Sequence, residues 1–248
     1  MLSKSQISFI KSLHQKKYRK ENGLFLVEGI KSIREFISSD YQIDTIYYNK
    51  EQYQYLPKLP ANINLFEVNN AELAKISTLQ TPQGFLALVY IPKNKSVNPE
   101  TLANQFTLVL DGVQDPGNMG TIIRTADWFG FKQIVCSEDT VEAYNPKTVQ
   151  ATMGSLARVN ISYVNLVDFI SQSKIPVFGA LLEGKSIYKI DWKNEGLIIL
   201  GNEGKGITQE VISKVNQPVT IPNFGEAESL NVAVSAAIFC SEIRRTKN

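Results

Sequence analysis

Asn118, Gly120 and Arg124 stand in the spacing N-x-G-x-x-x-R within LVLDGVQDPGNMGTIIRTADWFGF, residues 108–131. The stretch reads as strand, glycine-bearing turn and helix, and it places a guanidinium in a mostly apolar helix. Two more glycine-bearing turns follow short apolar strands. One is Leu200-Gly201-Asn202-Glu203-Gly204-Lys205-Gly206. The other runs from Ile221-Pro222 through Glu228-Ser229-Leu230-Asn231. In an open α/β sheet, ligands gather at the carboxyl ends of the strands, so three polar turns there predict a pocket. The turns lack the G-x-x-x-x-G-K-[ST] spacing of a phosphate loop and the G-x-G-x-x-G of a dinucleotide site. They offer close backbone approach together with Asn, Glu and Ser side chains. Backbone N–H and C=O groups in such turns can read the edges of a flat heterocycle such as adenine.

The rest of the inventory removes several chemistries. The single histidine, His14, lies in a basic N-terminal arm, and nothing places a nucleophile near it for a Ser-His-Asp triad. Cys136 and Cys240 both sit in apolar segments and read as buried, reduced thiols. A zinc site or a disulfide framework needs more ligands than these. An enzyme built from this chain works without histidine chemistry, and no metal is expected. Net charge is only +2, but Lys4, Lys11, Lys16, Lys17, Arg19 and Lys20 crowd residues 1–20 with no acid among them. The chain also closes on Arg244, Arg245 and Lys247. Such clusters suit phosphate contact, or equally a solvated helix face. No apolar run approaches the roughly 20 residues of a membrane span, and no signal-peptide pattern appears, so a cytoplasmic location is expected.

The elements that must position the three turns alternate along the chain. The polar, proline-bearing stretch at residues 92–105 marks a change of composition. The expected organisation is a domain over 1–94, a linker over 95–105 and a second domain over 106–248. The first is a small α/β layer. Helices are expected over 3–15, 30–38 and 71–76, and strands over 24–27, 43–48, 63–68 and 85–91. The second has better strands, at 106–110, 133–136, 160–164, 177–182, 197–200 and 219–221. They are continuous apolar runs, so both sheet faces should be covered. Helices are expected at 118–129, 146–157, 167–172 and 209–215. A last one, over 229–245, is apolar nearly all round and is expected to be buried.

All three turns, in order and at strand ends, resemble the motifs of the SpoU (TrmH-like) class of SPOUT methyltransferases. Asp115-Pro116-Gly117-Asn118-Met119-Gly120, with Arg124, is similar to the first motif, Leu200–Gly206 to the second, and Ile221-Pro222 with Glu228–Ser235 to the third. The resemblance covers about residues 106–245. Residues 18–29 look like the start of the small ribosomal-protein-like domain that many members carry to bind substrate RNA.

The resemblance implies methyl transfer from S-adenosylmethionine to a ribose 2′-hydroxyl of RNA. It also implies a homodimer and a deep C-terminal trefoil knot, a topology very rare among folds. Backbone around Gly201, Ile221 and Leu230 would hold the cofactor. Arg124, Asn118, Glu203, Ser229 and Asn231 would form the catalytic constellation. Taken singly, each has a plainer reading: Asn118 or Ser229 as a helix N-cap, Glu203 as a solvated loop carboxylate, Arg124 as an ion-pair partner. The two-domain layout fits 23S rRNA best, with tRNA, or a non-catalytic role in ribosome assembly, as the alternatives.

Overall fold

The apolar runs become two sheets in a computed structural model, which describes residues 1–93 and 97–247. By contact the chain forms two units. Unit 1 is Met1–Lys93 together with Glu142–Arg158, and unit 2 is the rest of the described chain.

Unit 1 holds a four-stranded sheet, β1(Leu24–Glu28), β2(Ile43–Asn49), β3(Asn64–Val68) and β4(Phe85–Tyr90). Its order is β1-β4-β2-β3. Only the β2–β3 pair is parallel. The helices are α1(Lys4–Ser12), α2(Lys16–Asn22), α3(Ile30–Ile37) and α4(Asn70–Ile76). Ile10, Leu13, Leu26, Tyr47, Leu73 and Leu88 share one core. Burial of such side chains is what holds so small a layer together. α2 has no apolar period, because its one buried residue is Arg19.

Residues 142–158 lie in the second half of the sequence but pack in unit 1. Glu142 accepts from the buried Arg19 at 2.6 Å, Tyr144 packs on Phe25 with ring centroids 4.8 Å apart, and Arg158 pairs with Glu35. The segment carries a fifth helix of this unit, α6(Pro146–Thr152). The expected linker, 95–105, includes residues with a place in a core. Residues 95 and 96 lie outside the described chain, but Leu102 is buried in the core of unit 2, where Val97 packs on it.

Unit 2 is a six-stranded parallel sheet with helices between its strands. In chain order these are β5(Phe106–Leu110), α5(Pro116–Trp128), β6(Gln133–Ser137), β7(Asn160–Val164), α7(Leu166–Gln172), β8(Val177–Ser186), β9(Gly196–Leu200), α8(Gln209–Ile212), β10(Gln217–Thr220) and α9(Val232–Arg245). The strand order is β10-β8-β9-β5-β6-β7. β5 and β9 are fully buried, as continuous apolar runs require. After β5 the chain builds toward β6 and β7; after β9 it turns toward β10. The seam between β5 and β9 is therefore the topological switch point, the place where open α/β sheets carry their ligands.

The last helix departs from expectation. α9 starts three residues later than predicted and is not buried all round. Phe239, Cys240 and Ile243 face inward, while Val234 is 48% exposed and Ala237 and Ile238 are half-buried. One side packs on α5 and β9, and the other stays open.

Candidate functional site

The turn after β5 is fixed from both sides by residues that motif reading passes over. Asp111, 4% exposed, accepts from the backbone N–H of Thr208 at 2.7 Å and from its hydroxyl at 2.8 Å. The Gly112 N–H donates to Ser137 Oγ at 2.8 Å, and Gly112 sits at φ +71°, a conformation that favours glycine. Asn202 Nδ2 donates to the Gly112 carbonyl at 2.7 Å. A carboxylate at the end of a buried strand must find donors, and that need was the available signal for Asp111 and Thr208.

The turn after β9 is a closed miniature hairpin. The Asn202 and Gly206 backbones bond to each other in both directions, at 2.9 and 3.0 Å. Asn202 Oδ1 accepts from the N–H groups of Gly204 and Lys205. This presents Glu203 to the first turn. Glu203 accepts from the backbone of Gln114 and Asp115, both at 3.2 Å, and from Asn118 Nδ2 at 3.0 Å.

Asn118 then reaches the third turn, since its Oδ1 accepts from Asn231 Nδ2 at 3.0 Å. Asn231 Oδ1 caps α9 by accepting from the N–H groups of Ala233 and Val234. The amide orientations in this chain are forced. A carboxylate only accepts, so Asn118 must turn its amino group to Glu203 and its oxygen to Asn231. The caps are thus not those expected: Asp115 caps α5 and Asn231 caps α9, which frees Asn118 to link them.

Three predicted residues, Asn118, Glu203 and Asn231, are therefore brought together. Arg124 is not bonded to them. It lies six residues further along α5, about 9 Å along the axis, exposed and without a polar partner among the described residues. Ser229 is exposed, two residues before Asn231. Gly201 and Ile221 directly follow β9 and β10, and Leu230 stands half-exposed beside Asn231.

Electrostatics separates the two charged candidates. Partial burial pushes the Glu203 carboxyl up, but bonds donated by Asn118 and by backbone N–H groups, its own and those of Gln114 and Asp115, outweigh it. The group ends below the ordinary value of 4.5. These bonds tie Glu203 to the first turn. Arg124 remains an unengaged cation in reach of solvent. Beside Asn118 and Asn231 a groove of about 660 Å³ runs between α5 and α9, lined in part by Thr121, Thr125, Val234 and Ile238. Among the described residues no three His, Cys, Asp or Glu side chains cluster to hold a metal, and no helix is long and apolar enough to cross a membrane.

Comparison with known proteins places this arrangement. The SpoU rRNA methylase family matches residues 105–241, and the MRM3-like substrate binding domain matches residues 4–87. A Bacillus subtilis relative, 23S rRNA (guanosine(2553)-2′-O)-methyltransferase RlmP, is 32% identical, with 94% of each chain covered. A Neisseria meningitidis relative, 23S rRNA (guanosine-2′-O-)-methyltransferase RlmB, is 30% identical over 75% of this chain and 78% of its own. The AdoMet-bound rRNA methyltransferase of Sinorhizobium meliloti superposes with a TM-score of 0.89 at 30% identity, covering 99% of this chain and 97% of that one. With its three turns joined at the switch point of a parallel sheet, the chain belongs to the SpoU rRNA methylase family.

Proposed function

We propose that this chain methylates a ribose 2′-hydroxyl of 23S rRNA, with S-adenosylmethionine as the methyl donor. The observation that carries the reading is the hydrogen-bonded line Glu203–Asn118–Asn231, which ties all three turns into one site. The named relatives act on 23S rRNA, and this chain matches RlmP over nearly its whole length. In this reading unit 1 holds RNA and unit 2 carries the transfer, in the cytoplasm. The trefoil knot belongs to the same reading. It is supported by the run of residues 221–231 from the edge strand β10 back to Asn118.

The residues present fit the donor. Backbone of the turns at Gly201 and Ile221, with the half-exposed Leu230, provides polar edges and an apolar surface for a flat heterocycle. The donor supplies an electrophilic methyl on a sulfonium. The chain's part is to position the hydroxyl and to stabilise the oxygen as its proton leaves. Guanidinium keeps its proton in proteins, so Arg124 acts as a cation that holds RNA phosphate and the developing alkoxide. Asn118 and Asn231 orient the ribose, and Ser229 stands exposed for the same task. Glu203 keeps Asn118 in place.

A second copy of the chain completes the reading. The open side of α9 leaves Val234 and Ile238 against the groove beside Asn118, an apolar surface that a homodimer would cover.

The test is transfer of labelled methyl from S-adenosylmethionine to separated 23S rRNA, 16S rRNA and tRNA from cells lacking the protein. Label in 23S rRNA, mapped to a 2′-O-methyl nucleotide, is expected. Label in tRNA alone moves the substrate. No label and no cofactor binding by calorimetry overturns the enzyme reading and leaves an RNA-binding protein.

A further inference from the structure

Unit 1 contains a second organised polar surface, at the end of the four-stranded sheet where β1 and β2 finish and β4 begins. Three loops meet there. Glu28, only 6% exposed, accepts from the Ser77 hydroxyl and from the backbone and hydroxyl of Thr78, so a buried carboxylate is committed to holding one loop in shape. Burial of a carboxylate is costly, and it persists here because each bond it accepts defines the loop. Asn49, 9% exposed, accepts from the Glu51 N–H and donates to Asn70, which fixes the turn at 50–55.

Two glycines at positive φ then bring glutamine side chains onto bare backbone. A Cβ at Gly29, φ +85°, would collide with the Gln83 amide, and one at Gly84, φ +81°, would meet Gln52. Gln83 itself is exposed and Gln52 half-exposed. Tyr53, next to Gln52 in the same turn, packs on Tyr48 with ring centroids 5.2 Å apart and remains 53% exposed. Arg34 joins α3 to the turn by donating to the Tyr55 carbonyl at 2.6 Å. Over residues 29–34, 49–55 and 77–84 the charged side chains are Lys31, Arg34 and Lys50 against the single acid Glu51.

We propose that this loop end is where unit 1 reads unpaired bases of the substrate RNA, a proposal that rests on the RNA-methyltransferase reading and deepens it. Amides that both donate and accept suit base edges, an exposed ring suits stacking, and neighbouring cations suit the backbone phosphates. Gln83 and Gln52 meet base edges, Tyr53 stacks, and Lys31 and Lys50 contact phosphate. The basic α2 face, with Lys16, Lys17 and Lys20, is the competing surface.

The experiment compares full-length variants for binding to unmethylated 23S rRNA by filter binding across a salt series, and for KM and kcat in methyl transfer. Q52A with Q83A is expected to weaken RNA binding about tenfold and to raise KM with kcat within about twofold, leaving the salt slope unchanged. K31A with K50A is expected to flatten the salt slope by about two phosphate contacts. Cofactor affinity by calorimetry should stay constant in both. Normal RNA affinity in both double variants overturns the proposal, as does a loss confined to the Lys16, Lys17 and Lys20 alanine variant. Failure of the wild-type chain to methylate any RNA is a separate outcome and strikes the proposed function instead.

Discussion

Arg124 and Glu203 are the two charged residues of the predicted catalytic constellation, and their surroundings differ. Arg124 is exposed and free of polar partners among the described residues, so R124A should leave folding and cofactor affinity unchanged. If its cation stabilises the transition state, the single-turnover rate falls by about 10²–10³-fold. R124K then recovers much of that rate if a point charge suffices, and little if the planar fork is needed. Glu203 is satisfied by donors that hold its carboxyl below 4.5. Because the folded value is depressed, its hold on the first turn is complete above that ordinary value and is lost only as pH falls through the depressed one. E203Q should therefore lower kcat by about 100-fold through misplacement of Asn118, without changing the shape of the pH–rate profile between about pH 5 and 7. An acid limb in that window that vanishes in E203Q would instead make Glu203 the base.

At the scale of the element, two glycines of one turn are required for different reasons, and substitution separates them. A Cβ at Gly201 would collide with the backbone of Gly206 and Ile207, atoms fixed by the Asn202–Gly206 pairing. G201A is expected to abolish cofactor binding and to lower the melting temperature. Gly206 has open space and only its φ of +71° to keep, so G206A should cost about 1–2 kcal/mol and G206N less, since asparagine tolerates that conformation. Calorimetric titration with S-adenosylmethionine, alongside thermal melts, reads both. The same elements show what sequence reveals. β5 falls at Phe106–Leu110 as expected, because a strand covered on both faces is written as one apolar run. α2 was missed because its buried residue is an arginine, although the left-handed Gly23 that ends it was visible as a glycine. The place of residues 142–158 is held by long-range contacts such as that of Arg19 with Glu142, 123 positions apart, which no local pattern encodes. Asn118 and Asn231 were legible as motif residues. Their direct bond was not, because it forms only once the strand order has brought the first and third turns together.

For the whole molecule, the open side of α9 is where the proposed homodimer would meet. Val234 is 48% exposed and Trp128, near the end of α5, is 84% exposed. A two-fold dimer uses the same patch on both subunits, so one substitution is placed twice across the interface. V234E would put two carboxylates into an apolar contact, and both desolvation and like-charge repulsion then oppose association, by several kcal/mol. Val234 is on the solvent side of its helix and the capping bonds of Asn231 involve only backbone at this position, so the monomer should remain folded. Sedimentation should show a dimer for the wild-type chain and a monomer for V234E. Asn118 and Asn231 line the same groove, so methyl transfer should fall with the dimer, and raising the V234E concentration should restore activity in step with reassociation. A V234E chain that sediments as a dimer with full activity would place the subunit contact elsewhere. A fully active monomer would show that one chain carries the complete site.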